Sequence, residues 1–361
     1  MTLLLYGAYG YTGELIAREA VGRRIDLVVA GRNGTKTRGL GAELGVDSRV
    51  FDLADASTNL DGVDVVLNCA GPFVHTHVPM VEACLETGTD YLDVTGELPV
   101  FESIAQRDRD AEKADVCLLP GVGFDVVPTD CLAAHLHDRL PGATHLTLGF
   151  DAPANLSGGT LATILEQAGT SGKIRRDGVI EDVELTAQPR EIDFGSGPKP
   201  AIRIPWGDVS TAYYSTGIEN IEVYTAVPER TGRALRVTAP LRHVTQIEPI
   251  KRGLQALARQ FTSGPSEDER ERGRAFIWGE ATDGEQTVTS RLVTPESYGL
   301  TVDAATTAAQ RLLATELTGY QTPATAFDPE FVLELEHVDG FFDEEFPTLV
   351  GTEHVRTAEA R

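Results

Sequence analysis

Lysine is scarce in this chain. Of its 31 basic residues only Lys36, Lys113, Lys173, Lys199 and Lys251 are lysines, against 55 acidic residues, and the formal net charge is −24 over 361 residues. Such a field repels polyanions and argues against nucleic acid or an anionic membrane surface as partner. It suits a salt-rich cytoplasm, where screening tames self-repulsion. Long apolar runs are missing too: 41% of the chain is hydrophobic, yet no run nears the ~18 residues of a membrane helix. No basic segment follows Met1-Thr2, and the apolar start runs straight into a glycine turn, so no signal peptide is read and the cytoplasm is expected. The four cysteines, Cys69, Cys84, Cys117 and Cys131, show no C-x-x-C spacing and lie in apolar stretches. They read as small buried hydrophobes in a reducing compartment, and no metal site is expected.

What is present organises itself around Leu3 to Gly13, LLLYGAYGYTG. A buried strand breaks into Gly7, Gly10 and Gly13, and helical spacing of Leu15, Ile16 and Ala20 follows. Gly7 can take a turn conformation closed to residues with a Cβ, Gly10 lets the backbone approach a pyrophosphate, and Gly13 allows close helix–strand packing. The helix N-terminus, with its unpaired N–H groups and positive dipole end, then receives phosphate. One further absence is informative. The second strand, Asp26 to Ala30, ends in Gly31, Arg32 and Asn33, with no carboxylate for a ribose 2′-hydroxyl. Arg32 can instead grip a 2′-phosphate, with Asn33, Thr35 and Lys36 adding hydrogen bonds or charge, so NADP(H) is the expected cofactor.

The length suits two domains, or one with a large insertion. A glycine-broken helix is expected over Thr35 to Leu44 and a third strand over Arg49 to Asp52, with Asp52 either meeting the adenine or capping a helix. Strand, helix and strand then repeat: Asp64 to Ala70, Val78 to Glu86, Tyr91 to Val94, Phe101 to Lys113, and Val116 to Leu119. This alternation predicts a doubly wound parallel sheet with ligands at the carboxyl ends of its strands. Further on, Asp283-Gly284 marks a hairpin within Glu280 to Val293, and Ala304 to Leu317 reads as a late helix ending at Gly319. Glu248 to Phe261 reads as an amphipathic helix, Gly264 to Arg274 as a charged loop, and the tail from Asp339 as loosely ordered.

The run of GAYGYTG, AGRN, NCAGPF, DYLDVTGE and PGVGFDVVPTD resembles the saccharopine dehydrogenase-like superfamily, in particular its short branch related to trans-acting enoyl reductases. The likeness is dense from Leu3 to about Asp130, extends to Ser157-Gly158-Gly159-Thr160, and thins beyond about Lys173. It implies an NADP-binding Rossmann domain over residues 1–127, a second α+β domain for substrate binding or dimerisation on a mostly antiparallel sheet over 128–300, and over 301–361 a late helix returning to the first domain plus an acidic tail. The expected cofactor contacts are Gly7, Tyr9, Gly10, Tyr11, Thr12, Gly13, Arg32, Asn33, Lys36, Asp52, Ala70, Gly71, Pro72, Thr95, Glu97 and Phe124.

Hydride transfer needs the donor held against its acceptor and a group that polarises the acceptor or delivers a proton. Three strand-end loops carry candidates. His75 and His77 follow Gly71-Pro72, and their spacing lets at most one of them serve as acid. Asp93 and Glu97 suit an amine or ribose hydroxyl, or simply cap the next helix. Asp125 follows a glycine-rich stretch, beside Phe124, which can lie against a nicotinamide ring. Ser157 to Thr160 reads as a helix cap and as an anion or carbonyl site. Saccharopine-type chemistry on charged substrates requires basic residues in the cleft, and near the start of the second domain there are only Lys173 and Arg175-Arg176. The expectation is therefore an NADPH-dependent oxidoreductase acting on a small or lipid-linked acceptor. Opine-type reductive amination and a non-catalytic NADP-binding sensor or partner subunit are the alternatives; no tyrosine–lysine pair of the dehydrogenase kind is evident.

Overall fold

The computed structural model describes residues 1–152, 172–183, 190–227 and 265–343. The Ser157 to Thr160 turn, the Glu248 to Phe261 helix and the tail beyond residue 343 lie outside the described residues.

The first sheet holds β1 (Thr2–Tyr6), β2 (Asp26–Gly31), β3 (Asp47–Val50), β4 (Val65–Asn68), β5 (Asp90–Asp93), β6 (Cys117–Leu119) and β15 (Gly319–Tyr320), in the order β15-β6-β5-β4-β1-β2-β3. Every pair in it is parallel. Parallel neighbours need crossovers, which are α1 (Tyr11–Gly22), α2 (Gly34–Leu44), α3 (His77–Thr87) and the α4 (Leu98–Ala105) and α5 (Asp108–Ala114) pair. Alternate strand residues enter opposite layers. Leu3, Leu5, Val29, Leu67 and Leu92 pack with Ile16 and Ala20 of α1. Leu4, Val28, Val66, Tyr91 and Leu118 pack with Met80 and Cys84 of α3 and Ile104 of α4.

The second sheet is built from β7 (His145–Asp151), β8 (Gly172–Arg176), β9 (Val179–Val183), β10 (Arg190–Asp193), β11 (Pro198–Arg203), β12 (Asn220–Ala226), β13 (Arg274–Thr282) and β14 (Thr287–Pro295). It is antiparallel except where β12 runs parallel to β7. Helix α6 (Val127–Arg139) follows the first six strands and carries the core onward: Leu132 and Leu136 join Leu146, Leu148, Val223 and Ile277 in the same apolar cluster as the first sheet. The long helix Ser297–Leu312 then packs back against α1, and β15 extends the first sheet beside β6.

Several boundaries differ from those expected. The third strand ends at Val50, because Asp52 turns its carboxylate back on the Ala54 amide and starts a short helical turn. The Phe101 to Lys113 helix is two helices, broken at Gln106-Arg107. The late helix begins seven residues early, at Ser297, where the Glu296 carboxylate accepts the Tyr298 and Gly299 amides. Within the supposed charged loop, Glu267–Arg272 is helical, closed by a capping box between Ser266 and Glu269.

Candidate functional site

The strand ends of the first sheet lie level. Tyr6 pairs with Ala30 and Asn68, and Asn68 with Asp93. The chain progresses from β1 towards β3 on one side and from β4 towards β6 on the other, so the switch point falls between β1 and β4. Gly7 and Gly13 make that point compact. Gly7 has φ +80°, and a Cβ there would lie 2.9 Å from Cys69 C and Ala70 N, so the two loops meet backbone to backbone. A Cβ on Gly13 would lie 2.5 Å from the Gly7 carbonyl oxygen. Gly10 is the N-cap of α1 and no side chain caps that end, whereas α2 is capped by Asn33, whose Oδ1 accepts the Lys36 amide at 3.0 Å. Tyr11 and Thr12 begin α1 directly over the switch point. An open helix N-terminus there is suited to an anion.

On the β2 side the Tyr9 ring crosses the strand end: a Cβ on Gly31 would be 2.6 Å from its Cε1. Lys36 Nζ stands 5.7 Å from the centroid of the same ring. Arg32 is exposed and makes no hydrogen bond among the described residues. Burial pushes the Tyr6 hydroxyl up to about 12, with Asp52 and Tyr9 adding to the rise and Arg32 opposing it, so these charges converge on one spot. Asn33 and Asp52 are occupied as caps, leaving Arg32 and Lys36 to meet a ligand.

The β4–β6 side is built from buried acids. Asn68 Oδ1 accepts the Ala70 amide at 3.0 Å, and Thr76 Oγ1 donates to the Ala70 carbonyl at 2.7 Å, which fixes the Ala70-Gly71-Pro72 turn. Glu97, 1% exposed, accepts the Phe73 amide at 2.8 Å on one oxygen and the Val74 amide at 2.9 Å on the other. Its own amide donates to Thr95 Oγ1 at 3.0 Å. Asp93 accepts from Tyr91, Thr95 and Gly121, while burial raises its carboxyl to about 6. The two histidines part company. His75 is exposed, whereas His77 is engaged through both ring nitrogens, with Phe73 O at 2.7 Å and Ser103 Oγ at 3.0 Å, and burial holds it below the usual imidazole range.

Asp125 differs from its acidic neighbours. Its carboxylate makes no hydrogen bond among the described residues; it rests against Gly96, where a Cβ would come within 2.7 Å of Oδ2. Burial and the nearby Glu97 charge raise it to about 7. Trp206 Nε1 donates to the Asp125 carbonyl at 2.8 Å, and the Phe124 amide donates to Thr301 Oγ1 at 3.0 Å. The Phe124, Phe150 and Trp206 rings form a chain with centroid spacings of 6.1 and 5.2 Å. Phe150, Trp206 and Thr301 escaped the sequence reading, for no local pattern marks residues that arrive from other elements. Lys173, Arg175 and Arg176 are engaged elsewhere. Arg175, 5% exposed, donates to Val209 O, Gly178 O and Glu102, while Arg176 pairs with Glu181 and Lys173 with Asp182.

A doubly wound sheet with an open glycine turn at its switch point, followed by a mostly antiparallel sheet, defines a Rossmann-type dinucleotide-binding protein with a second α+β unit. Residues 3–118 match the family described as the saccharopine dehydrogenase NADP binding domain. Over these residues the first unit is similar to saccharopine dehydrogenase-like domains, and NADP(H) is its cofactor. Among curated proteins, a trans-acting enoyl reductase of Mycobacterium leprae is 31% identical over 220 residues, 55% of this chain and 52% of its own. The trans-acting enoyl reductase of Mycobacterium bovis is 33% identical over 187 residues, covering 47% and 45%. The chain thus spans about half the length of the curated relatives it matches. Saccharopine dehydrogenase (L-Glu forming) from Saccharomyces cerevisiae shares the fold with a TM-score of 0.63 at 14% identity, over 92% of this chain and 96% of that one.

Proposed function

We propose that this chain is an NADPH-dependent oxidoreductase passing hydride to an activated C=C, C=O or C=N bond of a small or lipid-linked acceptor. The observation that carries this reading is the combination of an uncapped α1 N-terminus at the switch point with an exposed arginine, and no carboxylate, after β2. NADPH supplies the hydride when bound. The amides of Tyr11, Thr12 and Gly13 hold its pyrophosphate, Arg32 with Lys36 holds the 2′-phosphate, and Tyr9 lies along the adenosine. The Ala70-Gly71-Pro72 turn, kept in place by Asn68, Thr76 and Glu97, walls the nicotinamide side together with Phe124. Thr95 serves by positioning Glu97. Phe124, Phe150 and Trp206 exclude water from the acceptor. Asp125, whose carboxyl is raised to about 7 and so keeps part of its protonated form at neutral pH, delivers the proton that completes the reduction. Of the two histidines, His75 is the exposed one, and His77 braces α3 against α4. The name trans-acting enoyl reductase on the relatives puts activated C=C acceptors first in an assay.

The test is a titration of the purified chain with NADPH and NADH in high salt, beside Arg32→Ala. NADPH binding that is at least about tenfold tighter than NADH, and that falls to the NADH level in the variant, supports the reading; one charge-assisted bidentate contact accounts for a difference of that size. Binding of neither nucleotide sinks it. Tight NADPH binding without turnover on enoyl, carbonyl and imine acceptors points instead to a sensor or partner subunit.

A further inference from the structure

The glycine turn has a charge problem. A pyrophosphate is an anion in a chain of net charge −24, and no lysine or arginine precedes Arg18. The one charged residue in the first turn of α1 is acidic, Glu14. Within α1's first turn and the glycine turn before it, backbone dipoles alone favour an anion.

A cation does reach the turn, from more than 250 positions along the chain. Arg270 lies in the helix Glu267–Arg272, just before β13 of the second sheet. Its Nη1 donates to the Tyr11 hydroxyl at 2.8 Å and to the Pro265 carbonyl at 3.1 Å. The Tyr11 hydroxyl donates to that same carbonyl at 2.5 Å. The Tyr11 ring is in turn held edge-on to Tyr298, with centroids 5.1 Å apart. The guanidinium is therefore anchored to the first residue of α1. Nε and Nη2 make no hydrogen bond among the described residues, and Arg270 is only half-buried. An anchored guanidinium with two donor-bearing nitrogens unspent matches what a phosphate needs.

We propose that Arg270 is a cofactor-binding residue that clamps the pyrophosphate of NADP(H) from the second unit, an inference that rests on the NADP(H) reading above. Tyr11 then has two tasks: its amide belongs to the anion-binding helix end, and its hydroxyl aims the arginine.

The experiment is calorimetric titration of the full chain with NADPH and with adenosine 2′-monophosphate, which carries the 2′-phosphate and lacks a pyrophosphate. Arg270→Ala is expected to weaken NADPH by about tenfold, the scale of one charged hydrogen bond, and to leave adenosine 2′-monophosphate within about twofold, the scatter of a surface change. Arg270→Lys, which keeps the charge and loses the fork, falls between them. Arg32→Ala shows the opposite pattern, losing both ligands. Unchanged NADPH affinity in both Arg270 variants overturns the proposal, as does an equal loss of the two ligands, which a merely structural strut would produce. A wild-type chain that binds no NADPH defeats the underlying reading itself, a result distinct from either of these.

Discussion

The two ends of one sheet edge handle charge in opposite ways. Beyond β1–β3 the charges left free of a cap are cations in the open: Arg32 is exposed and Lys36 stands over the Tyr9 ring, while the Asp52 carboxylate is spent on the Ala54 amide. Beyond β4–β6 they are acids withdrawn from water: Asp93 accepts three hydrogen bonds and Glu97 clasps two consecutive amides. Exposed cations remain available to a ligand and are weakened by salt. Buried acids hold loops in place, and salt barely reaches them. Asp125 stands between these cases, partly exposed and without the hydrogen bonds its neighbours make. The difference sets cations that a ligand can reach against acids that place loops, with Asp125 making no hydrogen bond among the described residues.

The comparison breaks most completely if the two ends are forced apart. Gly7 joins them, with φ +80° and backbone atoms of Cys69 and Ala70 at 2.9 Å from where a Cβ would go. Gly7→Ala meets both a left-handed conformation and a backbone collision, so a loss of about 3 kcal/mol in stability is expected. NADPH binding should become undetectable. Chemical denaturation and titration check both, and a variant of wild-type stability that still binds NADPH would show that the loops need no such contact.

Asp125 tests the buried end. Its carboxyl rises from an ordinary 3.8 to about 7. Between those values the native chain keeps a proton that the unfolded chain has released, so its share of stability is present at low pH and is lost as pH rises through 7. Asp125→Asn should flatten that fall between pH 4 and 7, followed by thermal unfolding. If Asp125 is the proton donor, kcat in the wild type declines above pH ~7, and the variant loses that limb with about a hundredfold lower rate. A decline that persists unchanged in the variant assigns the proton to another group.

How far each end could be read in advance follows from the range of its interactions. The glycine turn and the Arg32 position were legible because strand, turn and helix start are contiguous, and each glycine serves the backbone within a few residues. The buried end was legible as a set of acids but not in its division of labour. Glu97 acts on amides 23 and 24 residues away, and only folding separates an acid that clasps amides from one that clasps none. Helix ends misled for a different reason. Glu296 is an uncommon cap, and the Ser266 to Glu269 capping box was hidden inside a run of charges that reads as a loop. Arg270 had no local signal at all, since its partner is Tyr11.

The smallest effect sharpens the contrast most. Lys36→Ala removes an exposed charge beside Tyr9 and leaves the Asn33 cap intact, because that cap uses the Lys36 backbone amide. NADPH affinity should fall about two- to threefold at low salt, the ordinary size of an exposed ionic contact. At 1 M salt the Debye length is ~3 Å and the difference between variant and wild type should vanish. The Asp125 pH profile, set by burial and the neighbouring Glu97, should move little over the same salt range. Measuring both in one salt series separates the two ends directly: a Lys36 effect that survives 1 M salt means the lysine is enclosed by the bound nucleotide, and an Asp125 profile that shifts with salt means that acid is open to water.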